Sequence, residues 1–470
     1  MPDLELCYMS AAEMAARIAR REISPVVAVD NALARIDAVN PHLNCFCFVY
    51  HDEARERARV AEEAVMAGRP LGPLHGVPIA FKDMTPTRGK RTTLGSCIFE
   101  HWIPDRDAVV VERLLAAGAI MVGKTTTSEL AATSFTETRL WGVTRNPWRT
   151  DRTPGGSSGG SGAAVAAGCV PLAEGCDMGG SVRIPAAFCG IVGLKPSFGR
   201  IPFDILPSQF DTYCHFGPLA RRIGDAALFL AVAQGQDDRD ISSLPIPPAI
   251  PARMSPDVAG LRLALSIDLD YYAVDAEVEA NLRTVAEALR SLGAVVDEVE
   301  IGWTRAINDA GYRHWNAYMA AFAGPYLEEW RATMDPFLVK MIEDGLRMSA
   351  VELKQTEFVR TQQWEKIAPV FRRFDALLCP TTAVPAPPTG ASDFDYGHDD
   401  ADGRYHQFEM TFPFNLISPC PALSVPSGFT CEGLPTAAQI VGRPHGDATV
   451  LRIGAALELA TGWDQARPPV

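Results

Sequence analysis

The stretch from Thr153 to Gly168, TPGGSSGGSGAAVAAG, constrains this chain more than any other. Eight of the eleven residues from Gly155 to Val165 are Gly or Ser, the composition of a flexible tether, yet the run passes straight into alanine-rich, helix-favouring sequence. Tethers join domains, whereas this segment interrupts continuous helix and strand patterning. A phosphate loop of the Walker type needs a lysine after its last glycine, and none follows here. What remains is a hydroxyl-bearing loop that opens a helix.

The surroundings read as α/β layering. Met14 and Ile18, then Val26, Val29, Leu33 and Ile36, recur at helical spacing, with Ser24-Pro25 as cap and first-turn proline of the second helix. GPLHGVPIAFKD is a turn leading into a buried strand that ends at Lys82 or Asp83. A helix, a stop at Gly118 and a strand from Ile120 to Val122 follow. After a proline-rich surface excursion, SLPIPPAIPARMSP, the pattern predicts strand LRLALSI, a helix over 275–292, strand AVVDEVEI and helices over 303–374. DALLCPTTAVPAPP, CPALSVPSG and LPTAAQIVG read as strands before a last helix near 447–460. The acidic loop SDFDYGHDDADGRYH reads as solvated or mobile.

Length and composition narrow the function classes. A chain of 470 residues, 47% hydrophobic, can bury a large core, and a net charge of −14 without a basic stripe excludes a nucleic-acid backbone as the main ligand. The eleven cysteines form no C-x-x-C pair, so they read as buried apolar groups in a reducing compartment. No uncharged run approaches the roughly 18 residues of a membrane span, and the first helix carries acids where a signal peptide carries bases. A cytoplasmic enzyme is the expectation.

Three segments carry chemistry. Gly156-Ser157-Ser158-Gly159-Gly160 is formally the G-x-S-x-G elbow of α/β-hydrolases with Ser158 as nucleophile, but NPWRTDRTP before it is no apolar strand, and His215, His406 and His445 are only nominal partners. That alternative stays open. In GCDMGGSVRIPAAFCG, Ser181 follows two glycines and precedes a helix start, so the backbone N–H groups around it can converge on one point. At the strand end in VPIAFKD, alternation puts Lys82 on the face of Ala80 and Pro78, and Asp83 on the face of Phe81 and Ile79.

Those three segments, in that order and with a 24-residue interval from Ser157 to Ser181, resemble the amidase signature family. The likeness extends to SAAEMAARIARREISPVVAVDNALARIDAVNPHLNCF, VTRNPWRTDRTPGGSSGG, PFNLISPCPALSVPSG and GLPTAAQIVGRPHGDATVLRIGAALE, and spares mainly 240–375. It implies an α/β fold with a large mixed sheet covered by helices on both faces. It implies one amidase domain over 1–470: a signature core at 70–235, a variable helix-rich selectivity region at about 240–375, and the rest of the core at 376–470. It further implies Ser181 as nucleophile, Ser157 as bridging serine on a cis peptide bond, and Lys82 as base. The N–H groups of Met178, Gly179, Gly180 and Ser181 would form the oxyanion hole, supported by Ser158, Asp177 and Arg183. No metal and no cofactor is implied, and a homodimer is allowed.

The residue types suit those roles. A serine hydroxyl needs a base within hydrogen-bond reach, lysine is one only when neutral, and a second serine can relay the proton. Glycines at 155, 156, 159 and 160 permit unusual dihedrals and close backbone packing, so the tether-like loop is expected to be rigid. Cys176 departs from the Thr or Ser usual before the aspartate, and the resemblance implies a lost hydroxyl contact there.

Selectivity in the family comes from the loop after the lysine, the segment before the paired serines and the variable region. Met84, Leu130, Ala131, Thr133 and Phe135 are therefore expected at the substrate pocket. Trp303, Trp315, Tyr318, Met319, Phe322 and Trp330 read mainly as core at their helical spacing, while favouring an apolar or aromatic substrate group. After GLKP the chain continues SFGRIPFDILPSQFDTYCHFGPLA, unlike the amidase component of tRNA-dependent amidotransferases, which is kept as an alternative. Nor does it carry the anchor and apolar cap of membrane-bound fatty acid amide hydrolases. The expectation is a free-standing hydrolase of hydrophobic or aryl amides, with carbamates and esters alongside.

Overall fold

In the computed structural model, which describes residues 1–245, 250–251 and 254–470, the alternation of helix and strand builds one eleven-stranded mixed sheet. Its strands are β1 (Phe46–Val49), β2 (Pro78–Lys82), β3 (Ile120–Thr125), β4 (Leu172–Asp177), β5 (Val192–Lys195), β6 (His215–Ala220), β7 (Arg262–Leu265), β8 (Val295–Glu298), β9 (Ala376–Pro380), β10 (Ala422–Phe429) and β11 (Pro435–Gly442). Across the sheet they run β1-β3-β2-β4-β6-β5-β10-β11-β9-β7-β8. β2 lies parallel to both β3 and β4, whereas β4, β6, β5, β10, β11 and β9 follow one another antiparallel.

Both faces of the sheet are covered. On β2, Ile79 and Phe81 join one apolar cluster with Val110, Leu114 and Phe229, while Ala80 joins another with Leu33, Ala58 and Ala163. Alternation therefore aims Lys82 toward the helix Gly159–Ala166 that follows the Gly-Ser loop. Local signals hold where they were strong: the Ser24 hydroxyl accepts from the Val26 N–H at the start of helix Pro25–Leu43, and Asp275 caps Ala276–Ser291 in the same way.

Four strands escaped the periodicity: β1, β4, β5 and β6. β4 reads LAEGCD and is buried on both faces, so neither alternation nor apolar content marks it. The expected solvated loop at 392–406 is more ordered than that: His398–Asp399 pairs with Tyr405–His406, and Tyr405 is buried against Tyr272. Part of the proline-rich excursion, at 246–249 and 252–253, lies outside the described residues. Among the described residues no helix is long and apolar enough to cross a membrane.

Candidate active site

Lys82, at the end of β2, is fully buried. Its Nζ donates to Ser157 Oγ at 2.6 Å and lies 3.2 Å from Cys176 Sγ. Among the described residues no carboxylate reaches Nζ within ion-pair distance; Asp83, on the opposite face, is engaged by the Thr93 N–H and hydroxyl. Below the lysine, the Glu174 carboxylate accepts from the Lys82 backbone N–H and the Thr85 hydroxyl, both at 3.0 Å. Burial pushes Glu174 up to about 7, against the pull of that N–H and of the Lys82 charge. Cys176 does not leave a gap where a hydroxyl was expected: its sulfur takes the second place around Nζ.

The Gly-Ser loop is no tether. Every residue from Thr153 to Gly168 is buried, and the Gly156–Ser157 peptide bond is cis. The Thr136 hydroxyl donates to Gly155 O at 2.8 Å and accepts from the Gly159 N–H at 3.1 Å, binding the two sides of the loop together. Gly155 sits at φ +81, and a Cβ on Gly160 would stand 2.4 Å from the Thr126 nitrogen, so these positions require glycine. Ser158 is fully buried with its hydroxyl directed at Cys176 O, 3.4 Å away, which removes it as a hydrolase-elbow nucleophile.

β4 ends at Asp177, and the chain then turns through Met178-Gly179-Gly180-Ser181 into helix Arg183–Cys189. Asp177 anchors the turn: Arg183 grips both its carboxylate oxygens, at 2.8 and 2.9 Å, Asn415 Nδ2 donates at 2.9 Å, and the Val182 N–H at 3.3 Å. Burial opposes ionisation there, but the Arg183 charge and these hydrogen bonds hold the carboxyl well below the usual range. The N–H groups of Met178, Gly179, Gly180 and Ser181 have no acceptor among the described residues. Four adjacent free donors beside a partly exposed serine are the material of an oxyanion hole.

Ser157, Cys176, Met178 and Ser181 line the floor of a cavity of about 340 Å³. Its walls are apolar. Met84, Leu130 and Ala131 contribute to them, and helix Ala306–Ala323 supplies Trp315, Tyr318, Met319 and Phe322. Trp315 stacks on Tyr318 at 5.7 Å, and Phe322 stacks on Phe99 at 6.3 Å, forming an aromatic wall. Beyond Ser181 and Met178 lies a second space of about 30 Å³, lined by Thr133, Ser134, Asp393 and Glu409. Burial raises both of those carboxyls above their ordinary range.

An amidase family model matches residues 28–451 of the chain. Over 478 residues the chain is 36% identical to an acylamidase of Rhodococcus erythropolis, covering 100% of the chain and 98% of the relative. The chain belongs to the amidase signature family. A glutamyl-tRNA(Gln) amidotransferase subunit of Chloroflexus aurantiacus is 37% identical over 488 residues, with 99% of each covered. The crystal structure of a bacterial aryl acylamidase superposes with TM-score 0.92 at 31% identity, covering 97% of both chains. This amidase is therefore an amide-hydrolysing enzyme.

The amidase brings Lys82 and Ser157 into contact and gathers Ser157 and Ser181 at one cavity. Met84, Leu130 and Ala131 line that cavity as expected, but Thr133 lines only the neighbouring spaces. Phe135 shares one of those spaces with Thr133 and packs edge-on against Phe408 in a separate apolar cluster. The assignment of these variable-region residues to the core holds for Trp303, whose indole N–H donates to Gln363 O at 2.9 Å, and for buried Met319, while Trp315, Tyr318 and Phe322 pack against that core and, with Met319, also line the cavity. Phe203, Ile205 and Leu206 also reach the cavity from RIPFDILPS, the stretch that had marked only divergence from amidotransferases. Glu174 gave no signal in the sequence.

Proposed function

We propose that this amidase hydrolyses hydrophobic or aryl amides through an acyl-enzyme on Ser181. The 2.6 Å contact between Lys82 Nζ and Ser157 Oγ, at a cavity also lined by Ser181, carries the reading. Ser181 Oγ attacks the carbonyl carbon while its proton passes to Ser157, whose own proton passes to neutral Lys82. The oxyanion collects the N–H groups of Met178 to Ser181, where each donor is worth about 10²–10³ in rate. As the C–N bond breaks, the relay runs backward and Ser157 protonates the departing amine. Water then attacks the acyl ester, its proton passing through Ser157 to Lys82, and as the ester C–O bond breaks that proton returns through Ser157 to Ser181 Oγ and the acid leaves.

Aromatic walls favour an apolar or aryl group on the substrate, and carbamates and esters present the same carbonyl chemistry. Relatives do not discriminate against a role within an amidotransferase, since components of such enzymes stand at comparable identity. The cavity lining speaks against glutamine: Arg106 is its one cationic side chain among the described residues, and it is paired to Asp204 at 2.5 Å. A substrate panel tests this. Aryl acylamides and p-nitroanilides should be cleaved, with rates rising toward alkaline pH, and Ser181→Ala should be inactive while folded. Silence on the whole panel, with glutamine consumed only beside a partner protein, would overturn it.

A further inference from the structure

The four free N–H groups after β4 can stabilise an oxyanion only if their peptide planes are turned the right way. In a trans peptide the C=O and the following N–H point in opposite directions, so whatever grips the carbonyl aims the donor. Backbone N–H groups of Ile184 and Ser158 hold the carbonyls of Gly180 and Ser181, and side chains from outside the cavity grip those of Gly179 and Asp177. The Thr411 hydroxyl donates to Gly179 O at 2.6 Å, which directs the Gly180 N–H the other way. His215 Nδ1 and Asn415 Nδ2 each stand 3.3 Å from Asp177 O, opposite the Met178 N–H.

The gripping groups are themselves fixed. Arg183, already clamped on Asp177, donates to Thr411 O at 2.9 Å and to Asn415 Oδ1 at 2.7 Å, so one guanidinium locks both ends of the 411–415 segment. A Cβ on Gly180, at φ +129, would stand 1.9 Å from Thr411 Oγ1, so the threonine presses on the turn as closely as glycine allows. Asp177 O can only accept, so His215 carries its proton on Nδ1, and its buried Nε2 has no partner. None of the three side chains lines the cavity with Ser181.

We infer that Thr411, Asn415 and His215 are positioning residues for the oxyanion hole, which they orient by holding the carbonyls of Gly179 and Asp177. The inference rests on the proposed role of the 178–181 turn. Thr411→Val keeps the side-chain shape and removes the donor; kcat should fall about 10-fold with KM nearly unchanged, and Thr411→Ser should restore it. Affinity for an aryl boronic acid, which forms a tetrahedral adduct on the serine, should fall by the same factor, while a non-hydrolysable ground-state analogue binds as before. If Thr411→Val does not fold, His215→Leu against His215→Asn, which keeps a side-chain N–H donor, reads out the same contrast. Unchanged kcat and boronate affinity in folded Thr411→Val, or in the His215→Leu variant, would overturn the inference. An active Ser181→Ala would instead sink the functional reading beneath it.

Discussion

Two strand ends in this sheet carry a fully buried lysine, and they are built to different purposes. Lys82, closing β2, meets a serine hydroxyl and a thiol at the floor of the cavity. Lys195, closing β5, donates to the carbonyls of Cys420, Pro196 and Ser418 at 2.8, 3.3 and 3.4 Å. Burial drives Lys195 down to about 7, a value that in isolation would mark a general base. Yet its partners are acceptors with no proton to give, and it does not line the cavity of Ser181. A depressed pKa makes lysine available as a base; only a hydroxyl within reach makes it one.

Replacing each lysine by methionine should break the symmetry. Lys82→Met removes the terminus of the proposed relay, and kcat should drop at least about 10³-fold with thermal unfolding still cooperative. Lys195→Met should keep kcat within about 10-fold, because it touches no reacting atom. Equal losses in the two variants, measured on one aryl acylamide, would erase the distinction. Ser157→Ala comes next: the Lys82 amine survives but cannot reach Ser181 through a hydroxyl, so kcat should fall by about 10²–10⁴.

Stability reports on Lys195 through pH. An unfolded lysine titrates at 10.5 and folded Lys195 at about 7, so between those values the unfolded chain holds a proton that the folded one lacks. Stability must then rise with pH across that window, and the rise should be smaller in Lys195→Met. Lys124, lowered by burial to about 8 with Asp83 pulling the other way, remains in the variant and contributes its own rise above 8. Denaturant midpoints at about pH 7 and about pH 9 measure the difference; parallel shifts in both proteins would contradict it.

The contrast between the lysines also bears on what the sequence could reveal. Lys82, Ser157 and Ser181 stood out because each sits in a short motif that the resemblance links to the other two. Lys195 sits in GLKPS, within the same resemblance, with nothing to separate it from Lys82 except three-dimensional neighbours. Glu174 and Thr411 were hidden for a related reason: a carboxylate inside LAEGCD and a hydroxyl 232 residues from Gly179 acquire meaning only when strands and turns are brought together. The aromatic wall was hidden differently. Trp315, Tyr318 and Phe322 recur at helical spacing on one face, and periodicity cannot distinguish a face packed on core from one that lines a cavity.

The smallest effect is expected at Cys176, and it bears on how Lys82 is poised. Burial raises the Cys176 thiol above the ordinary range, so it is the neutral S–H whose sulfur stands 3.2 Å from Nζ. A sulfur is a weak acceptor, so the amine is steered without being held as strongly as by a hydroxyl. Cys176→Ser should strengthen that second contact and hold the amine more firmly away from the relay, lowering kcat by less than about 3-fold. Cys176→Ala should change kcat in the opposite direction and by as little, because the contact is gone and no acceptor replaces it. A kcat that stays fixed in both variants would mean that the thiol is only packing, and that Ser157 alone orients the lysine.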